Sequence, residues 1–201
     1  LIAILDYGSG NLRSAERAFA TTGQEVVLTS DPVIALEADG LVVPGVGAFS
    51  SCMNGINAVN GISIVQERLQ KERPVLGICI GMQIMFSQGT ENSQGEPFKG
   101  IGIWNGVVDR LNAPILPHMG WNTVEADPNS VLLKGIEEEE AFYFVHSYAA
   151  KSSVGKKQSW SFYGERFLAV VEDGYVCSTQ FHPEKSGTAG LKLIRNWVDS
   201  L

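Results

Sequence analysis

A cysteine sits within Gly77-Ile78-Cys79-Ile80-Gly81, between the apolar runs Pro74-Val75-Leu76 and Met82-Gln83-Ile84-Met85-Phe86. The pattern predicts a sharp strand-to-helix turn with the sulfur at its apex. Glycines on both sides let the backbone bend without a Cβ clash, and the turn presents the side chain at the end of a sheet. There the sulfur meets unpaired N–H groups and the positive end of the helix dipole, which favour thiolate over thiol. Nucleophilic attack is the chemistry this suits. Free cysteines are also among the residues most often buried, so the turn alone is equally compatible with a small core residue.

A second segment tips the balance. Gln180-Phe181-His182-Pro183-Glu184 follows the β-rich run Tyr175-Val176-Cys177-Ser178-Thr179. In extended chain, residues two apart share a face, so His182 and Glu184 converge if the strand continues that far. A carboxylate there holds the imidazole in one tautomer and leaves its other nitrogen for the sulfur. Cys79, His182 and Glu184 then supply nucleophile, general acid/base and orienter. Taken alone, His-Pro-Glu reads as a strand end closed by proline.

The elements that must position these groups change character along the chain. Strands are expected at Ile2–Asp6, Glu25–Thr29, Gly40–Val43 and Val75–Ile78, with helices near Asn11–Thr21, Ile62–Lys71 and Met82–Ser87. Such alternation predicts right-handed crossovers and a parallel sheet covered on both faces. Further on, Val107–Leu111, Trp121–Glu125, Ala141–Tyr148, Gln158–Phe162 and Leu168–Glu172 read as closely spaced strands, an antiparallel portion. A final helix, Thr188–Ser200, places Leu191, Ile194 and Val198 on one face. With no internal repeat or linker, residues 1–201 are expected to form one α/β domain.

Composition excludes several functions. At 201 residues and 44% hydrophobic content, the chain can bury one sizeable core. A net charge of −7 argues against a nucleic-acid surface, which needs clustered Lys and Arg. The lysines between Lys151 and Lys157 and the run Glu137–Glu140 read as solvated connections. No apolar stretch reaches the roughly eighteen residues of a membrane span, and Leu1–Leu5 lacks the basic flank of a signal peptide. Cys52, Cys79 and Cys177, and likewise His118, His146 and His182, lack metal-ligand spacing. Reduced cysteines suit the cytoplasm, and no metal or cofactor is expected.

Ligands of such sheets bind beyond the carboxyl ends of the strands. The loop Asp6-Tyr7-Gly8-Ser9-Gly10-Asn11 resembles a dinucleotide-binding turn but fails it, since Arg13 stands where a small residue is needed. Pro44-Gly45-Val46-Gly47-Ala48-Phe49 can turn N–H groups, that of Val46 among them, toward the cysteine. With the amide of Ile80 these would make an oxyanion hole; the plainer reading is a flexible turn before a helix.

Gly-Ile-Cys-Ile-Gly with a distant His-Pro-Glu resembles the class I glutamine amidotransferases. That resemblance implies a flavodoxin-like three-layer sandwich, mainly parallel, and a Cys-His-Glu triad. Within the family, Pro44-Gly45-Val46-Gly47, Pro117-His118-Met119-Gly120-Trp121-Asn122 and Phe181-His182-Pro183-Glu184-Lys185-Ser186 are similar to the glutaminase subunits of imidazole glycerol phosphate synthases. The elbow is shared across the family, whereas the Pro117–Asn122 segment is specific to these subunits.

The resemblance implies that Cys79 attacks the side-chain amide of glutamine, forming a glutamyl thioester that water hydrolyses. His182 would protonate the departing ammonia and then activate the water, with Glu184 orienting it. Gly47, Gln83, Glu91, Ser147 and Tyr148 match the family's glutamine pocket, Glu91 facing the substrate ammonium. A (β/α)8-barrel cyclase is the implied partner, receiving ammonia directly for a step of histidine biosynthesis. Tyr7, Asn11, His118, Met119, Trp121, Tyr143 and Lys185 would lie at or near that contact. The family also implies an oxyanion peptide near Gly45 and Val46 that is misaligned until the partner binds its own ligand. Two other readings stand beside this one. A glutaminase of anthranilate or guanylate synthesis keeps the triad but feeds another acceptor, and capture of the partner discriminates it. A non-catalytic interaction subunit keeps only the fold, and labelling of Cys79 by a glutamine-mimicking electrophile tests that.

Overall fold

In a computed structural model describing all residues, Leu1–Leu201, strand and helix alternate up to the cysteine. The order is β1 (Ile2–Leu5), α1 (Leu12–Ala20), β2 (Val26–Thr29), α2 (Pro32–Glu37), β3 (Gly40–Gly45), α3 (Phe49–Ala58), α4 (Gly61–Gln70) and β4 (Val75–Cys79). The central sheet is completed late in the chain by β11 (Lys157–Tyr163), β12 (Glu165–Asp173) and β13 (Val176–Thr179). Its order is β11-β12-β13-β4-β3-β1-β2. From β13 to β2 all neighbours are parallel, while β11 and β12 join antiparallel. Taken in chain order, the parallel part runs 2-1-3-4-5, the flavodoxin-like arrangement.

The chain steps from β1 to β2 in one direction and from β2 through β3 to β4 in the other. Right-handed crossovers therefore put α1 on one face and α2, α3 and α4 on the opposite one. In agreement, α1 packs against the last helix, α6 (Gly187–Val198), and α4 packs against both α2 and α3. No helix is long and apolar enough to cross a membrane.

Two smaller sheets complete the fold. One has the order β10-β7-β5-β6, built from β5 (Phe86–Gly89), β6 (Phe98–Lys99), β7 (Trp104–Arg110) and β10 (Tyr148–Ala150). The other is an antiparallel ribbon of β8 (His118–Thr123) and β9 (Ala141–His146). A contiguous apolar core, reaching from Ile2 to Val198, joins the central sheet to both.

Two expectations fail, and two helices are present that none foresaw, each for an identifiable reason. The helix expected over Met82–Ser87 is only one turn, α5 (Ile80–Gln83), after which the chain extends as β5 beside β7. Ile80 through Phe86 is buried without interruption, so no amphipathic period marked the change. Helices α2 and α3 were missed. The former is short and starts on an Asp31 cap with Pro32 at its first position; the latter is rich in Gly, Ser and Asn. In α6, Ile194 and Val198 are buried but Leu191 is exposed, the inner face being completed by Leu193 and Trp197.

The amino end of this sheet is fastened by a buried cation. Arg68 of α4 is fully inaccessible and donates to the carbonyls of Ala35, Leu36, Ala38, Asp39 and Pro74 at 2.8–3.2 Å. It thereby ties the end of α2 to the strands that begin at Gly40 and Val75. Burial lowers its pKa to about 10, and it remains charged at neutral pH.

Candidate active site

Cys79 ends β4 with φ +56° and ψ −111°, a conformation costly for any residue with a Cβ. The neighbouring glycines make this turn possible. A Cβ on Gly81 would lie 1.8 Å from the carbonyl oxygen of Val43, and one on Gly77 would lie 2.7 Å from that of Gly81. The elbow therefore packs backbone against backbone, and α5 begins at once with Ile80.

His182 reaches the sulfur from the next strand. Thr179 pairs with Ile78, so the residues after β13 pass alongside Cys79. The strand stops at Thr179, however, and a 3-10 turn over Pro183–Lys185 follows. His182 and Glu184 converge through that turn, where extended alternation had been expected. Glu184 Oε1 lies 2.8 Å from His182 Nδ1, with both side chains nearly inaccessible. This fixes the tautomer and turns Nε2 toward the cysteine. The backbone N–H of His182 donates to Tyr143 O at 3.0 Å, and Ser186 Oγ donates to His182 O at 2.6 Å.

Burial works against a charge on His182, but the negative charge of Cys79, followed by Glu184, overrides it and raises the pKa to about 10. Nε2 has no hydrogen-bond partner at normal length, so the sulfur acts on it through charge first and a long hydrogen bond second. The imidazole is therefore protonated at neutral pH.

A cavity of about 410 Å³ opens over this pair. Cys79, Ile80, His182, Val46, Gly47 and Gln83 line one part of it, with Glu91, Ser147, Tyr148 and Lys185 around the remainder. The side chains expected around glutamine are therefore brought to a single opening. Gln83 Nε2 donates to Tyr148 O at 2.8 Å, while its Oε1 is buried without a partner. Glu91 accepts the N–H of Phe49 at 2.9 Å, and so caps α3 while facing the cavity. Val46 N–H donates to Ser9 Oγ at 3.1 Å, and Ser9 Oγ donates back to Val46 O at 2.8 Å. That N–H is therefore committed to Ser9 and unavailable to an oxyanion.

Of the residues expected at or near a partner contact, two are enclosed within the chain. Tyr7 is 5% exposed and its hydroxyl donates to Pro44 O beneath the Val46 loop. His118 is 3% exposed, stacked on Tyr163 and Phe144. Strand alternation in β8 explains the second case: His118 faces inward, whereas Met119 and Trp121 point out and are 62% and 59% exposed. Trp121 meets Tyr143 edge-on across the ribbon, with ring centroids 5.9 Å apart. Asn11 and Lys185 are half-buried.

His146, given no role from sequence, lines the cavity. Its Nδ1–H donates to Tyr148 O at 2.9 Å, so its Nε2 must accept from His118 Nδ1 at 3.0 Å, and Asn122 Nδ2 donates to His118 Nε2 at 3.3 Å. Burial lowers the pKa of His118 to about 4 and that of His146 to about 3, so both are neutral. Alternation along Ala141–His146 was the available signal, since it sets Phe142, Phe144 and His146 on the inner face. Gln180 was missed too, and it lies against the sulfur.

A strained cysteine, an imidazole charged by it, and a carboxylate behind that imidazole are an acyl-transfer arrangement. The family model for class I glutamine amidotransferases matches residues 3–201. The chain belongs to that family. Among its relatives, the imidazole glycerol phosphate synthase subunit HisH of Nocardia farcinica is 56% identical, aligned over 100% of this chain and 98% of its own. The HisH subunit of Thermobifida fusca is 52% identical over the same shares. The amidotransferase fold recurs in solved structures at low identity. A crystal structure of a glutamine amidotransferase has a TM-score of 0.76 at 18% identity, covering 98% of this chain and 97% of that one. PurLQS from Thermotoga maritima has 0.70 at 18% identity, covering 99% and 97%.

Proposed function

We propose that residues 1–201 form one amidotransferase domain, the glutaminase subunit of an imidazole glycerol phosphate synthase, supplying ammonia for histidine biosynthesis. The observation carrying this reading is the Cys79–His182–Glu184 alignment at the floor of an amino-acid-sized cavity, in a chain more than half identical to a HisH subunit along its full length.

Glutamine enters with its side-chain amide over Cys79. Glu91 faces the α-ammonium, and Gln83, Ser147 and Tyr148 hold the remainder of the amino acid. The thiolate adds to the amide carbon, and the oxyanion so formed is held by the N–H of Ile80 and, once released from Ser9, that of Val46. Imidazolium Nε2–H of His182 protonates the amide nitrogen, the C–N bond breaks and ammonia leaves, giving a thioester and neutral imidazole. Nε2 then takes a proton from water as its oxygen attacks the thioester carbon. Collapse breaks the C–S bond, returning the thiolate, the imidazolium and the product γ-carboxylic acid, which gives its proton to solvent and leaves as glutamate. Throughout, Glu184 fixes the ring and supports its positive charge.

Ammonia freed into water at neutral pH is protonated and loses its nucleophilic lone pair, so a receiving subunit must cover the cavity. A (β/α)8 cyclase is the partner this reading names. Exposed Met119 and Trp121, with Tyr143, Asn11 and Lys185 nearby, provide its landing surface; large apolar and aromatic side chains suit the centre of an interface. His182 hangs from Tyr143 O, which connects that surface to the acid/base group.

The test is glutamine turnover by the chain alone, with cyclase, and with cyclase plus its nucleotide-derived ligand. A small rate alone and a large rise in the ligand-bound complex are expected. Retention of turnover by Cys79→Ala in that complex would refute the mechanism.

A further inference from the structure

Gln180 is 1% exposed and follows directly on β13, its backbone N–H bonded to Ala169 O at 2.8 Å. Its side-chain Nε2 lies 3.9 Å from Cys79 Sγ, within reach of a sulfur acceptor, and its Oε1 accepts from Gln83 Nε2 at 3.1 Å. Gln83 Nε2 spends its second proton on Tyr148 O. The orientation of both amides follows from these contacts. Turning Gln180 over would set its oxygen against an anionic sulfur and face its NH2 toward the NH2 of Gln83. Turning Gln83 over would set its oxygen against two other oxygens. Neither alternative is tolerable for two amides that are each only 1% exposed.

We infer that Gln180 is a hydrogen-bond donor to the nucleophile: its amide N–H holds Cys79 Sγ toward the cavity and stabilises its negative charge, while Gln83 fixes the direction of that amide. Gln180 and His182 of one strand extension both face the sulfur, which also has Val145 O at 3.9 Å. They divide the work differently, because His182 gives up its proton during turnover and Gln180 keeps its own. Gln180 therefore steadies the thiolate in the free enzyme and again as it departs from the thioester. Gln83 acquires a positioning role beyond contact with substrate.

This inference rests on the glutaminase reading of the site, and its test separates the two. Gln180→Met removes the donor at similar volume. Gln180→Glu is isosteric and preserves an acceptor for Gln83, but faces the sulfur with an anion. The rate of Cys79 carbamidomethylation by iodoacetamide at pH 7, read by peptide mass spectrometry to separate Cys52 and Cys177, is compared for the folded chains. Loss of one hydrogen bond to a charged acceptor predicts a fall of about 10-fold for Met and a larger one for Glu. In the cyclase complex, Gln180→Glu should lower kcat by about the same factor while glutamine KM stays within about two-fold, because the Gln83 contact survives. If Gln180→Met fails to fold, the Glu variant decides alone. Reactive wild-type Cys79 with variant rates within about two-fold of it overturns the role of Gln180 only. A wild-type Cys79 inert to the reagent overturns this role and the glutaminase reading together.

Discussion

The two ends of the central sheet treat buried polar groups in opposite ways. At the amino end, Arg68 is wholly enclosed and its terminal nitrogens are matched to five carbonyls, leaving only Nε unpaired. At the carboxyl end, Gln83 Oε1, His182 Nε2 and Glu184 Oε2 are buried with no partner, and Cys79 is held at positive φ. An unpaired buried group costs about 1–3 kcal/mol, so such a cluster survives only on a scaffold that compensates elsewhere. One end stabilises the sheet; the other holds groups ready for a ligand.

If that division is real, substitutions at the two ends should separate stability from chemistry. Cys79→Gly removes the nucleophile and places at φ +56° the residue that best accepts it. Turnover in the complex should fall by roughly 10,000-fold or more, while the thermal midpoint should be no lower than that of the parent. A clear drop in the midpoint would show that the elbow is not strained. Arg68→Met should do the reverse. Stranding five carbonyls should cost about 3–5 kcal/mol in urea unfolding, while the folded fraction labels Cys79 at the parental rate. Slower labelling there would couple the two ends and break the comparison.

The sequence expressed these ends unequally. Gly77, Cys79, His182 and Glu184 carry their chemistry in residue type and spacing, because an elbow needs small neighbours and an imidazole needs a carboxylate close behind. That the carboxylate arrives through a 3-10 turn instead of a strand was hidden, since both routes bring residues two apart together. Arg68 left no trace: in Ile62–Lys71 it reads as one more polar residue of an amphipathic helix, and its partners are carbonyls, which residue identity does not report. Tyr7 and His118 were placed at or near a partner contact by motif; the strand expected there began only at Trp121, so the inward turn of His118 against outward Met119 lay outside it. The helix expected at Met82–Ser87 fell to β7, a partner some twenty residues further on whose pairing local propensity could not anticipate.

The histidine pair makes the same contrast accessible to pH. Unfolded, each imidazole takes up a proton near 6.5; folded, His118 resists to about 4 and His146 to about 3. Between those limits the unfolded chain binds more protons, so stability is fully present above about 6.5 and is lost as pH falls. The slope approaches about 1.4 kcal/mol per pH unit for each ring. His182, raised to about 10, adds no slope below 6.5 because both states carry its proton; its contribution is lost on the alkaline side. Urea midpoints taken between pH 6.5 and 5, above the main carboxylate range, should decline at the combined rate of the two rings. A slope only half as steep would mean that one of them is already charged in the fold and that the Asn122–His118–His146–Tyr148 chain runs differently, and a flat profile would mean that neither resists protonation.

The smallest effect concerns the loop between the strained elbow and the β1 turn. Ser9 Oγ grips both the N–H and the carbonyl of Val46, and Cys52 Sγ adds a contact to that carbonyl at 3.3 Å. Val46 is 39% exposed, so water can replace the hydroxyl, and Ser9→Ala should cost no more than about 1 kcal/mol of stability. The same energy removed from one side of a two-state peptide shifts its population about five-fold toward the orientation in which Val46 N–H faces the cavity. Resting glutamine turnover by the isolated chain should rise by about that factor, whereas turnover in the ligand-bound complex, where the peptide has already moved, should be unchanged. Equal rises in both states would locate the effect in the chemical step and not in the resting loop. No rise in either would mean that Ser9 is only a solvated turn residue and that another contact restrains Val46.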